Sequence, residues 1–287
     1  MKDISANDLR DNIPLVAKQH DGHKSTVRVG NAVIGGEALV VMAGPCAVET
    51  PELTLDIAKA VKAAGATMLR GGAFKPLTFP YRRGFMMEIG EPGLAWLKAA
   101  GDAVGLPVVT EVMDVRMVDT VAKHADMLQI GARNMANFPL LIEVARTRKP
   151  VLLKRHFGAS LRDWLGAAEY LYYYGNTQVV LCERGVVAPH THEVTSRFIV
   201  DLQVVPAVRE YSHLPVIVDP SHSTFKRSYV AAIACGAIGV GADGIIIDVH
   251  REPEKAAVDP LQALSYDAFG TLMGQMRGIG AVLGRTV

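Results

Sequence analysis

The chain is poor in cysteine, has no excess of charge of either sign and contains no long apolar run. Its three cysteines, Cys46, Cys182 and Cys235, are an odd number at wide spacing, which argues against a disulfide framework and leaves each thiol for burial or chemistry. A formal net charge of +1 over 287 residues gives no electrostatic reason to expect nucleic acid or an anionic membrane as partner, so the expected ligand is small. No apolar run reaches the ~18 residues of a membrane span, and the opening Met-Lys-Asp-Ile-Ser-Ala-Asn-Asp has no signal-peptide centre. The expected location is the cytoplasm. A repeat of fixed period is also missing, which excludes a solenoid.

What is present is 49% hydrophobic and 21% charged residues, enough apolar material for a large core and too little charge for a disordered chain. Length alone leans toward two small domains, with the single (β/α)8 barrel of roughly 250 residues as the main exception. Residues 1–38 read as an N-terminal arm with one short helix, then a β-hairpin: two short apolar runs between Val27 and Gly36 flank Gly30-Asn31. The hairpin is expected to plug or cover one end of the domain built by the rest of the chain.

Residues 39–287 alternate short β-rich runs, polar or glycine-rich loops and longer amphipathic segments. The eight runs are Leu39–Ala43, Thr67–Arg70, Pro107–Thr110, Met127–Ile130, Val151–Leu153, Gln178–Leu181, Val216–Val218 and Gly244–Ile247. Among the amphipathic segments is one over Ser196–Val208. Eight alternating units without a long linker predict an α/β fold, a single (β/α)8 TIM barrel, in preference to an open doubly wound sheet.

Active sites of such barrels lie at the C-terminal ends of the strands. In this sequence those ends carry Cys46, Arg70 with Lys75, Glu111, Arg133, Lys154, Glu183 with Arg184, Asp219 with His222, and Asp248 with His250. Core packing does not explain that distribution. Lys75, Arg133, Lys154 and Arg184 converge from four strands and imply an anionic substrate carrying phosphate, carboxylate or both. Cys46, His222, Asp248 and Asp259 come from strands one, seven and eight, which meet when a barrel closes. Thiol, imidazole and two carboxylates suit a divalent ion of the manganese, iron, cobalt or zinc kind. Taken singly, Cys46 also fits a small buried apolar residue.

Seven motifs, Gly44-Pro-Cys-Ala-Val-Glu49, Leu69-Arg-Gly-Gly-Ala-Phe-Lys-Pro76, Gln129-Ile-Gly-Ala-Arg-Asn134, Leu152-Leu-Lys-Arg155, Leu181-Cys-Glu-Arg-Gly185, Leu214-Pro-Val-Ile-Val-Asp-Pro-Ser-His222 and Val249-His-Arg-Glu-Pro-Glu-Lys-Ala256, stand in order between Val27 and Leu283. They resemble the 3-deoxy-D-arabino-heptulosonate 7-phosphate (DAHP) synthases of the type I beta group, related to 3-deoxy-D-manno-octulosonate 8-phosphate synthase. The resemblance implies a barrel that condenses phosphoenolpyruvate with a phosphorylated aldose, erythrose 4-phosphate in the DAHP synthases, in aromatic amino acid biosynthesis. It implies a divalent metal on Cys46, His222, Asp259 and Asp248, the last normally a glutamate. Lys75, Arg133, Lys154 and Arg184 match phosphoenolpyruvate contacts, and Arg70, Glu183 and Thr78 join them as candidate substrate-binding residues. Lys75, Glu111 and Asp219, with Cys46 and His222, are the candidate catalytic residues. A homodimer or homotetramer is expected.

The departures lie around the aldehyde side. Where the family has Lys-Pro-Arg-Thr-Ser-Pro-Tyr, this chain has Lys75-Pro-Leu-Thr-Phe-Pro-Tyr81. Leu77 cannot pair with a phosphate, and Phe79 adds apolar bulk. The segments around Arg82–Gly90 and Val186–Thr195 are each about three residues longer than is usual in the family, and His156 replaces a common glycine. Arg82, Arg83, His190, His192, Lys226 and Arg227 are candidates for a substitute grip. The alternatives are therefore the same phosphoenolpyruvate chemistry on another aldehyde and, from other classes, a metal-dependent pyruvate aldolase or a non-catalytic binding barrel. With about forty residues ahead of the first barrel run, no separate regulatory domain and no feedback inhibition through one are expected.

Overall fold

A computed structural model describes residues 6–75, 89–189 and 198–287. Eight parallel strands close into a barrel: β1 (Val40–Gly44), β2 (Met68–Arg70), β3 (Val108–Glu111), β4 (Met127–Ile130), β5 (Val151–Lys154), β6 (Val179–Glu183), β7 (Val216–Val218) and β8 (Gly244–Asp248). Each expected run coincides with a strand to within two residues at either end. Closure is made by β8 against β1, in register from Gly244↔Val40 to Asp248↔Gly44.

Strands covered on both faces read as continuous apolar runs, and alternate residues go to two different cores. Val40, Met42, Met68, Val109, Met127, Leu152, Val180, Cys182, Ile217 and Ile246 fill the barrel interior. Their neighbours Val41, Ala43, Leu69, Val108, Leu128, Leu153 and Ile245 pack outward under the helices.

The hairpin pairs Val27↔Ile34 and Val29↔Ala32 around Gly30-Asn31. Val27, Val29, Ala32 and Ile34 are buried in the same cluster as the barrel interior. A Cβ on Gly30 would meet Pro107, just ahead of β3, at 3.3 Å, and one on Gly35 would meet Pro215, just ahead of β7, at 3.1 Å. The hairpin therefore closes the N-terminal end of the barrel and leaves the C-terminal end as the place for chemistry.

The helices start where local chemistry lets them. Thr50 accepts the Leu53 N–H ahead of Pro51–Ala64, and Ser160 and Asp163 form a reciprocal capping box at Leu161–Tyr173. One expectation is corrected: the described part of Ser196–Val208, from Phe198 on, is not a single helix. Phe198–Ile199 pairs antiparallel with Val186–Val187, and the helix runs Val204–Tyr211. Asp201 sets that start, because its carboxylate accepts the Val204 N–H at 3.2 Å while its own N–H goes to Glu183 at 3.3 Å. Among the described residues no helix is long and apolar enough to cross a membrane.

Candidate active site

Four side chains converge where β8 meets β1. The turn after β1 lays Cys46 on the rim; Gly44 is needed there, since its φ is +156° and a Cβ would stand 2.1 Å from the Arg70 carbonyl. Asp248 ends β8 beside that turn. His222 lies on the single helical turn Pro220–Thr224 after β7, whose N-cap Asp219 accepts the His222 N–H at 2.9 Å. Asp259 sits on the loop after β8 at φ +54°, a left-handed conformation that few non-glycine residues adopt. Around it, Glu49 accepts the Ala257 N–H at 2.9 Å, and Arg227 donates to the Ala263 and Pro260 carbonyls at 2.7 and 2.8 Å and pairs with Glu254. Arg227, a candidate for the acceptor grip, is thus directed at the loop of Asp259.

Cys46 Sγ lies 3.0 Å from Asp259 Oδ2 and 3.7 Å from His222 Nε2. His222 Nε2 is 3.6 Å from Asp259 Oδ2 and 3.8 Å from Asp248 Oδ2, and the four donor atoms all fall within 4.8 Å of one another. Donors arranged tetrahedrally at bond lengths of ~2.0–2.3 Å stand roughly 3.3–3.8 Å apart; three of these four separations fall in that range and the Cys46–Asp259 one is shorter, so the group is of the size that one divalent ion spans. Burial pushes the Cys46 thiol up from its ordinary range, against the opposing pull of Lys75. For Asp259, burial is outweighed by His222 and Lys75, and its carboxyl is held below the usual range.

The surroundings aim these donors. Asp219 accepts from His222 Nδ1, at 3.1 Å to Oδ1 and 2.9 Å to Oδ2, so the tautomer that carries its proton on Nδ1 leaves Nε2 with a lone pair toward the other ligands. Asp219 also pairs with Lys154, both nearly without exposure. It is the joint between the cations and the candidate metal ligands. Arg70 pairs with Asp248 and donates to the Pro45 carbonyl at 3.0 Å.

Burial alone would raise the Asp219 carboxyl, but His222 and Lys154 outweigh it and hold it well below the usual range. With the folded value under the unfolded value of about 3.9, its contribution to stability is complete above that value and is lost as the pH falls through the folded one. Urea midpoints of wild type should therefore drop between about pH 4 and pH 2 more steeply than those of Asp219→Asn; parallel curves would contradict the assignment.

The cations are placed unevenly. Lys75 Nζ lies 3.0 Å from the Cys46 carbonyl and 3.1 Å from its sulfur. Burial would lower its pKa, yet Cys46 and the carboxylates Asp259 and Glu111 raise it overall. Arg184 donates to the His222 carbonyl at 3.0 Å and lies over the Phe198 ring at 4.3 Å; burial, together with nearby Arg133, lowers its pKa. Arg133 stands exposed on the short helical turn after β4. Glu111 is buried and accepts from Gln129 at 3.0 Å. Gly131 makes room for it, since a Cβ there would fall 1.9 Å from Glu111 Oε1. Glu183 is wholly buried: Oε1 accepts the Gly185 and Asp201 N–H groups at 2.6 and 3.3 Å, and Oε2 meets Arg155 at 3.1 Å. It pins both ends of the excursion after Arg184. Thr78, Leu77, Phe79, Arg82, Arg83, His190 and His192 lie outside the described residues.

Sequence reasoning did not single out Ser221, Gln262 or the Arg155 side chain. Ser221 Oγ accepts the Asp248 N–H at 3.0 Å, Gln262 donates to Asp248 Oδ2 at 2.8 Å, and Arg155 bridges Glu183 and Asp201. A serine or glutamine carries no signal of burial. Arg70 Nε, Arg184 Nη1 and Gln262 Oε1 are buried at this end of the barrel with no hydrogen-bond partner. Buried polar atoms are normally paired, so their concentration fits a place for a polar ligand.

A parallel eight-stranded barrel whose C-terminal rim brings Cys46, His222, Asp248 and Asp259 together beside buried cations defines a barrel with a candidate site for a divalent ion and an anionic ligand. The sequence model of the DAHP synthetase I family matches residues 13–281, and the chain belongs to that family. Phospho-2-dehydro-3-deoxyheptonate aldolase of Thermotoga maritima is 42% identical over 94% of this chain and 78% of its own length. A 2-dehydro-3-deoxyphosphooctonate aldolase of Syntrophobacter fumaroxidans is 29% identical over 87% of this chain and 90% of its own. The solved truncated form of 3-deoxy-D-arabino-heptulosonate 7-phosphate synthase from Thermotoga maritima superposes with a TM-score of 0.87 at 39% identity, over 96% of this chain and 99% of that one.

Proposed function

We propose that this chain condenses phosphoenolpyruvate with erythrose 4-phosphate, releasing inorganic phosphate and giving DAHP. The observation that carries the reading is Asp219, whose carboxylate holds Lys154 on one side and the His222 ring on the other. An anion held by the cations is thereby set against the metal ligands. Cys46, His222, Asp248 and Asp259 would hold a divalent ion of the manganese, iron, cobalt or zinc kind. When bound, that ion supplies Lewis-acid polarisation of the acceptor carbonyl.

The chain's own groups do the rest. Arg184, Arg133 and Lys154 hold the phosphate and carboxylate of the donor, with C3 turned to the aldehyde carbon. Lys75, whose proton is retained by its acidic neighbours, stabilises the developing alkoxide and delivers a proton from Nζ. Water adds at C2, and phosphate departs. Glu111 lies beside the reacting carbons, and Asp219 keeps the His222 proton on Nδ1. Glu183 and Arg155 act at a distance by fixing the loop that presents Arg184. The assembly is a homodimer or homotetramer, which sedimentation velocity would measure.

Phosphate release from phosphoenolpyruvate with manganese and a panel of aldehydes tests the acceptor. Erythrose 4-phosphate is expected to turn over fastest, and Leu77→Arg to lower its KM about tenfold by adding a charged contact to phosphate. Faster turnover with arabinose 5-phosphate or an unphosphorylated sugar would move the acceptor to another aldose. No phosphate release with any of them would leave a binding barrel.

A further inference from the structure

We propose that Gln262 is a positioning residue that orients the Asp248 carboxylate for the ion; the inference rests on the metal-dependent reading above. Asp248 is held at its backbone by Ser221, whose Oγ accepts its N–H at 3.0 Å, so only the side-chain torsions aim its carboxylate. Arg70 takes Oδ1. Oδ2 is the oxygen 3.8 Å from His222 Nε2, and Gln262 Nε2 donates to that same atom at 2.8 Å. The backbone N–H of Gln262 donates to the Asp259 carbonyl at 3.3 Å, closing the turn in which Asp259 holds its left-handed φ of +54°. One residue thus orients the Asp248 carboxylate through its side chain and closes the Asp259 turn through its main chain.

The amide can serve this role in one orientation only. Gln262 is 0% exposed, so water does not compete, and its Oε1 has no partner. Turning the amide over would set its carbonyl oxygen against the Asp248 carboxylate, acceptor against acceptor. Groups that orient metal ligands through hydrogen bonds typically alter metal affinity about 10–100-fold when removed.

The test is a double-mutant cycle on Zn2+ affinity, measured on the metal-freed full chain by competition with a chelating dye. Zinc is chosen because a thiolate, an imidazole and one carboxylate still bind it measurably after Asp248→Ala. Gln262→Met, close in volume, is expected to weaken binding about 10–100-fold, and to change it less than about threefold in the Asp248→Ala background. The same factor in both backgrounds, or an affinity of Gln262→Met within about threefold of wild type, would overturn the proposal. Melting of the metal-free proteins checks folding, and Gln262→Asn replaces Gln262→Met in the cycle if the latter does not fold. Wild type that binds no zinc, manganese or cobalt defeats the metal reading and this inference together; wild type that binds while Gln262→Met binds equally defeats this inference alone.

Discussion

Cys46→Ala is expected to lower phosphate release from phosphoenolpyruvate at least ~10³-fold, equivalent to about 4 kcal/mol of transition-state stabilisation, while the protein stays folded. The thiol is the softest donor of the group and lies within 3.7 Å of two of its partners, so its loss leaves two carboxylates and one imidazole to hold the ion. Lys75, which donates to the sulfur at 3.1 Å, loses a partner at the same time. Stability should change by about 1 kcal/mol or less, because Cys46 belongs to a small cluster with Ala47 and Val258 that is separate from the main core. Thermal melting and steady-state phosphate release on the same preparation decide it. Retention of more than a tenth of the activity, with manganese or any other divalent ion, would remove Cys46 and the ion from the mechanism.

Asp219→Ala should damage stability and activity together, because one carboxylate satisfies three groups. It pairs with Lys154, accepts from His222 Nδ1 and caps the His222 N–H, and is itself 1% exposed. Removing it leaves the Lys154 ammonium buried without its counter-charge, an arrangement that costs about 3–5 kcal/mol. For a chain of this size that corresponds to a fall in melting temperature of roughly 10 °C. The freed imidazole can then shift its proton to Nε2, which turns the face toward Cys46 and Asp259 from acceptor into donor. Metal affinity should fall about 10–100-fold on that account. Asp219→Asn, which keeps the shape, should recover part of the melting temperature and little of the affinity. A melting temperature for Asp219→Ala within 2 °C of wild type would rule out the buried-pair account (roughly the shift of 0.5–1 kcal/mol).

Much of the barrel was legible along the chain because its signals are local. Val216–Val218 and Met127–Ile130 are strands over the same residues read from their apolar character. Gly30-Asn31 marked the two-residue turn of the hairpin, and the charged strand ends marked the rim. The failures have a common cause. Helicity over Ser196–Val208 was inferred from amphipathic spacing, yet the helix begins where Asp201 is tied to Glu183 and Arg155, far away in sequence. Arg227, judged by its charge, was a candidate for a phosphate, whereas its guanidinium lies on carbonyls that the chain reaches only 33 and 36 residues later.

The sequence by itself determined the alternation of strands and helices, the strand ends that carry the charged residues, and the residue types of the cluster Cys46, His222, Asp248 and Asp259. Periodic burial and strand-end polarity need only neighbouring residues to be read. The tertiary structure alone decided how those types meet. Cys46 reaches Asp259 across 213 residues and Arg70 reaches Asp248 across 178. Such contacts exist only after β8 closes on β1 in one register, and the same closure buries Asp219 between Lys154 and His222 and places the amide of Gln262 on a ligand carboxylate.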